Sequence, residues 1–176
     1  NRILELSRAI AKKLHVPSET IERTALLCKA DLVTRLVFEF TELQGYIGAD
    51  YALRSGEMVE VSNGIKEHYF PLNADSKLAE GIEGQIVGIA DKIDTVTAVF
   101  ANGKKISGSQ DPLGVRRATL GILKTIIKKN LDINVSELIK LSISILPVEI
   151  QDKTALYNNV KEFFEQRLLI LLSDKY

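Results

Sequence analysis

The chain has 176 residues, with 23 basic and 23 acidic side chains and a formal net charge of zero. This length suits one domain, or one domain plus a fragment of the next, and chains of this size bury roughly 68–70% of their unfolded surface. The even balance of charge excludes a strongly basic nucleic-acid binder but leaves room for a local basic patch, and the single cysteine, Cys28, excludes an internal disulfide and a cysteine-built zinc site.

Helical periodicity runs through the whole chain. Ile3, Leu6, Ile10 and Leu14 place an apolar stripe on a first helix, which Val16-Pro17 ends. Ser18 is positioned as the N-cap of a second helix, predicted from about Glu19 to Phe40. Within it Leu26, Leu27, Leu32, Val33, Leu36, Val37 and Phe40 recur at helical spacing, with Cys28 among them as a small buried hydrophobe. Asp31, Arg35 and Glu39 are four apart in turn, so an acid–base–acid ladder is expected on one helix face. Thr41 with Gln44 reads as a capping box that opens a third helix. Gly45, Gly48 and Gly56 weaken that helix and permit close packing or a break.

A fourth helix is predicted from about Glu57 to Tyr69, stopping before Pro71, then a loop from Leu72 to Leu78. A long helix follows, from about Ile82 to Phe100. The segment 101–110, rich in Gly, Ser and Lys, reads as an exposed loop. Asp111-Pro112 marks a helix start running to about Lys129. Asn134 with Glu137 starts another helix that ends before Pro147, and the last runs from about Lys153 past Arg167. The expected fold is an all-α helical bundle: one compact domain at 1–147, then a helix at 148–176 leading elsewhere. No run approaches the ~18 apolar residues of a membrane span, there is no signal peptide, and the composition fits the cytoplasm. Both ends fall within helical periodicity and are expected to be boundaries inside a longer protein.

Two groups of residues carry chemistry. Arg117, Lys124 and Lys128, at spacings of seven and four, form a basic stripe. Leu113, Leu120, Leu123 and Ile127 are expected on the opposite side. With Arg116 and the loop residues Lys104 and Lys105, the stripe is the best phosphate-binding surface in the chain. The plainer alternative is a solvated helix face, with Arg116 paired internally to Asp91 or Asp94. The second group is His68, Asp91 and Asp94. The two aspartates are three apart on a helix and point the same way. His68 is followed by Tyr69 rather than aspartate, and the only other histidine is His15, so a metal ligand set is incomplete. These three are expected to be structural polar groups with no metal. Tyr46, Tyr51, Tyr69, Phe70 and Phe100 could stack on bases or simply pack. No phosphate loop, dinucleotide fingerprint or nucleophile triad is present, so no catalytic residue is assigned.

Six motifs, KADLVT at 29–34, EFTELQGYIG at 39–48, YALRSGE at 51–57, HYFP at 68–71, ADKIDT at 90–95 and DPLGVRRA at 111–118, resemble in order and spacing the β subunit of the two-chain bacterial glycyl-tRNA synthetase. The resemblance implies an HD-like helical domain, of which His68, Asp91 and Asp94 are a relic, and a final helix entering an anticodon-binding-like region. It implies a fragment of a glycine–tRNA ligase that joins glycine to tRNA(Gly) with ATP and Mg2+. Activation would then occur on the α subunit, with this chain supporting tRNA binding and subunit assembly. The fragment itself would hold no cofactor and meet neither membrane nor DNA. The competing readings are a metal-dependent HD-type nucleotide phosphohydrolase using His68, Asp91 and Asp94, and a purely structural helical interaction domain. One departure stands out: the family's DP-ALRR pattern becomes DPLGVRR, and Gly114 is expected to cost up to about 1 kcal/mol relative to alanine in a first helical turn.

Overall fold

A computed structural model describes residues 2–73, 76–103, 111 and 113–173. Among these there are nine α-helices and no strand, as the all-α expectation requires. The helices are α1 (Arg2–Lys13), α2 (Glu19–Leu27), α3 (Arg35–Glu39), α4 (Tyr46–Arg54), α5 (Val59–Glu67), α6 (Ile82–Ala101), α7 (Val115–Lys128), α8 (Val135–Ser144) and α9 (Lys153–Ser173). The chain divides into two compact units: Ile3–Asp91, and Lys92–Tyr176 together with Arg2.

In the first unit the stripe of α1 is buried through Leu6 and Ile10, with Ser7 and Ala11 beside them. His15 takes a left-handed φ of 56° and stops the helix. Ser18 occupies the N-cap position of α2, but in helical geometry and without a capping hydrogen bond. Its hydroxyl serves Glu22 instead. Ala52, Val61 and Ile65 form a cluster on which Leu27 packs. Cys28 is 1% exposed, its Sγ set against the Ala25 carbonyl, and burial pushes its thiol up to about 12.

The predicted helix from Glu19 to Phe40 does not form as one piece. It breaks into α2, a 3-10 turn at Ala30–Val33, and α3. The cause is Asp31, 1% exposed. Its Oδ2 accepts the N–H groups of Gly45 at 2.6 Å and Gly48 at 3.2 Å, at the start of α4. A carboxylate that leaves water needs such donors, and helix N-termini offer them unpaired. Reaching them requires the chain to turn. Thr34 then adopts an extended φ/ψ of −84°/146°, donates to the Asp31 carbonyl at 2.7 Å and caps α3 by accepting from Val37 N–H. The Asp31–Arg35–Glu39 ladder is therefore absent: Asp31 is inside while Arg35 and Glu39 are exposed. Val33, read as a buried-face residue by spacing, is 91% exposed, and Leu32 and Phe40 of the same set are 45% and 48% exposed.

The Thr41/Gln44 capping box is not made either. Thr41–Leu43 is a 3-10 turn without side-chain capping, and α4 begins after Gly45. Gly45 has φ 79°, and a Cβ there would lie 2.7 Å from Tyr69 Cδ2. A Cβ on Gly48 would lie 2.9 Å from Ile65 and 3.0 Å from the Asp31 carboxylate. Both positions admit only glycine, for close approach and, at Gly45, for backbone conformation.

In the second unit α9 packs on α7 and α8. Asn134 caps α8 as its spacing implies, accepting from Glu137 N–H at 3.2 Å. Thr97 of α6 and Ser142 of α8 share a buried hydrogen bond of 2.7 Å. Phe100 meets Phe163 edge-on at 5.1 Å.

Two outcomes follow for stability. Asp31→Ala removes the acceptor of two buried N–H groups and should cost about 3 kcal/mol, lowering Tm by about 6–12 °C; Asp31→Asn, which keeps one acceptor oxygen, should lose less than half as much. Thr41→Ala should be nearly silent in the same melts. Equal losses for the Asp31 and Thr41 variants would show that the carboxylate does not hold the turn. For acid, Arg8 Nη2 donates to Glu22 at 2.5 Å and, with the Ser18 hydroxyl second, holds its carboxyl down to about 2 from 4.5. A folded value below the unfolded one means the pair's contribution is complete above the unfolded value and is lost as pH falls through the folded one. A carbon-detected NMR titration should place the Glu22 midpoint well below those of other glutamates, and Arg8→Ala should raise it.

Candidate nucleic-acid interface

The basic stripe depends on how α7 begins. Asp111 caps it, but from outside the helix. Its Oδ1 accepts from Arg116 N–H and its Oδ2 from Arg117 N–H, both at 3.1 Å. The predicted N-cap position belongs instead to Gly114, with a left-handed φ of 67°. The Gly114 N–H donates to the Asp111 carbonyl at 3.0 Å, and the Asp111 carboxylate lies over the first turn. Gly114 is thus the favoured residue at its position, not a burden inside the helix, which corrects the sequence expectation.

The buried face of α7 is Val115, Thr119, Ile122 and Leu123. Of the four residues expected there, only Leu123 is buried; Leu113 and Ile127 are 43% and 36% exposed. At 100° per residue, positions 120 and 127 lie beside the 117/124/128 row, and 115, 119 and 122 lie opposite it; Leu113 precedes the helix. Thr119 and Thr125 disguise the true face. Their hydroxyls donate back to the Val115 and Gly121 carbonyls at 2.9 and 2.8 Å, so polar residues sit inside without an unmet donor. Arg117 and Lys128 are exposed, and Arg116 and Lys124 are half-buried. Lys104 and Lys105 lie outside the described residues.

Sequence reasoning missed Arg167. On α9 its guanidinium lies over the Phe163 ring, 3.5 Å from the centroid, and Nη1 donates to the Phe163 carbonyl at 3.3 Å and to Gln166 Oε1 at 2.8 Å. The signal was available: an aromatic and an arginine four apart on a helix face one another. Burial and then the neighbouring Arg116 charge lower the proton affinity of Arg167, with Asp111 acting the other way. Arg117 Nε is 3.5 Å from Asp111 Oδ2. Arg116, Arg117, Arg167 and Asp111 therefore share one neighbourhood within the second unit.

The second group is differently engaged. His68 is fully buried at the end of α5, and its Nδ1 donates to the Ile65 carbonyl at 2.6 Å. The Gly88 backbone approaches it so closely that a Cβ there would stand 2.8 Å from the His68 carbonyl oxygen. Asp91 pairs with Lys29 Nζ at 2.8 Å, and that ammonium also lies 4.2 Å from the Tyr69 ring centre. Asp94 takes Arg2 in a two-pronged pair of 2.5 and 2.9 Å. The two aspartates thus hold separate cations. Among the described residues no group of three or more His, Cys, Asp and Glu side chains is placed to hold a metal ion. Phe70 is buried and Phe100 packs on Phe163, whereas Tyr46 and Tyr51 are about half exposed at 48% and 45%. No described helix is long and apolar enough to cross a membrane.

A family model described as the glycyl-tRNA synthetase beta subunit matches residues 1–176. The glycine–tRNA ligase beta subunit of Gloeothece citriformis (strain PCC 7424) is 46% identical over 177 residues, 99% of this chain and 25% of that protein. That of Synechocystis sp. (strain ATCC 27184 / PCC 6803 / Kazusa) is 43% identical over 178 residues, 99% of this chain and 25% of its own length. That of Desulfitobacterium hafniense (strain DSM 10664 / DCB-2) is 43% identical over 185 residues, 99% and 26%. The chain spans about a quarter of the length of these curated relatives.

Proposed function

Because this chain belongs to the glycyl-tRNA synthetase β-subunit family, we propose that it is a helical framework of a glycine–tRNA ligase and that the basic row of α7 meets the backbone of tRNA(Gly). Arg117, Lys124 and Lys128 are the contacts, with Arg116, Lys104 and Lys105 as further candidates. In this reading amino-acid activation, with ATP and Mg2+, takes place on a separate α subunit in the cytoplasm. The present residues supply no catalytic group, and His68, Asp91 and Asp94 are internal polar supports. Residues 1–147 then form the HD-like framework, and 148–176 lead toward an anticodon-binding-like region.

The observation that carries the reading is the orientation of α7. Val115, Thr119 and Ile122 face inward, and the row of Arg117 and Lys128 faces water. Lysines and arginines held apart along a rigid helix are suited to successive phosphates, which give affinity without reading sequence.

The test is a titration of tRNA(Gly) against the full-length β chain at several salt concentrations. Lys128→Glu and Lys124→Glu should each weaken binding several-fold and lower the slope of log affinity against log salt by about one. Binding indifferent to both variants and to salt would leave a helical scaffold without RNA contact, and the proposal would fall.

A further inference from the structure

We propose that the apolar surface made by Leu32, Val33, Phe38, Phe40 and Tyr46 is the face on which the separate α subunit of the ligase docks. The inference rests on the reading of this chain as a subunit that assembles with an α partner, and it names the face that does so.

The first argument is placement. All five residues lie in the first unit. Leu32 and Val33 stand on the turn at Ala30–Val33, Phe38 on α3, Phe40 between α3 and the turn at Thr41–Leu43, and Tyr46 at the start of α4. These elements touch: α3 meets both turns, and the first turn meets α4. Val33 is 91% and Phe38 83% exposed, and the other three are close to half exposed. Single exposed apolar residues are ordinary, but five on touching elements make a patch. Four of them belong to the KADLVT and EFTELQGYIG motifs, whose Asp31, Gly45 and Gly48 build the fold while these apolar side chains leave it. The turn held by the Asp31 carboxylate fixes the backbone beneath Leu32 and Val33, so the surface is set before a partner arrives.

Area and charge choose the occupant. At roughly 150–200 Å² for a fully exposed side chain of this size, the five leave about 500 Å² of apolar surface to water. A standard protein–protein contact covers about 800 Å² on each partner, somewhat over half of it apolar, so the patch has the size such a contact needs. The charged residues exposed among the five are Arg35, Glu39 and Glu42. Their net negative charge repels a phosphate backbone and an anionic lipid surface, and Leu32 and Val33 have no ring on which a base could stack. A protein face fits, apolar at its centre and carrying lysine or arginine opposite Glu39 and Glu42. A second copy of this chain fits less well, because a two-fold contact repeats one patch on both sides and sets one negative surface on another. A different chain escapes that repulsion, and in the function proposed above that chain is the α subunit.

The experiment titrates the full-length β chain with the α subunit by calorimetry. Separate arms measure tRNA(Gly) binding, thermal melting and sedimentation of the β chain alone. Val33→Asp and Phe38→Asp should each raise the Kd for α by about tenfold or more, the size of a central apolar contact. Val33→Ile, which stays apolar, should bind α as the wild type does. The Tm of the β chain alone, its sedimentation and its Kd for tRNA should not move in any of the three. Unchanged α binding by both aspartate variants overturns the docking surface and leaves assembly standing. Failure of the wild-type chains to associate removes the assembly reading and the surface with it. A fall in Tm of the β chain alone shows that its own remaining length covers the patch, and a loss of β–β association assigns the patch to a second copy. Weaker tRNA binding with α binding intact assigns it to RNA. Each of these three results overturns the α-subunit assignment.

Discussion

The carboxylate of Asp31 governs the architecture of the first unit. A carboxyl group at 1% exposure calls for oriented donors; its Oδ2 finds them at the open end of α4, while its Oδ1 has no hydrogen-bond partner among the described residues. Satisfying it bends the chain after α2, creates the turn at Ala30–Val33 and sends Leu32 and Val33 outward. The same turn carries Lys29 to Asp91 and to the Tyr69 ring. Gly45 and Gly48 follow as requirements, since any side chain at either would occupy the space of Tyr69, Ile65 or the carboxylate itself. One buried acid thus explains a helix break, two glycines and an ion pair.

Several helices were legible because one physical signal dominated each. Buried periodicity marked α1, and the length of the apolar run marked α6. A side-chain cap marked the start of α8. The failures share a cause as well. Between Glu19 and Phe40 local periodicity favoured a continuous helix, and a contact fourteen residues away along the chain prevailed. At Thr41 a capping pattern existed, but Asp31 had already claimed the beginning of the next helix. On α7 the buried threonines answered their own hydroxyls within the helix, so a polarity pattern pointed to the wrong face. The stack of Arg167 on Phe163 was readable from their spacing of four, but the approach of Arg167 to Asp111 depends on α7 and α9 packing together, which no local window contains.

The distinction between the two polar groups is one of compensation. Asp91 and Asp94 each have a cation at hydrogen-bond distance, and His68 gives its Nδ1 proton to the helix below it. Such groups contribute to holding neighbouring segments in register, with energies that largely cancel their own desolvation. Around Asp111 the contact is more open: Arg117 lies 3.5 Å from the carboxylate with its side chain 64% exposed. A charge that water still reaches is available for external partners in a way that a closed ion pair is not.

The burial of Cys28 has a practical consequence. A thiol raised to about 12 is almost wholly protonated at neutral pH, and 1% exposure denies reagents access. Being the sole sulfhydryl of the chain, it reacts with a maleimide dye only when its surroundings open. The labelling rate is then a native clock for breathing of the α2 region, readable without introducing any foreign tag.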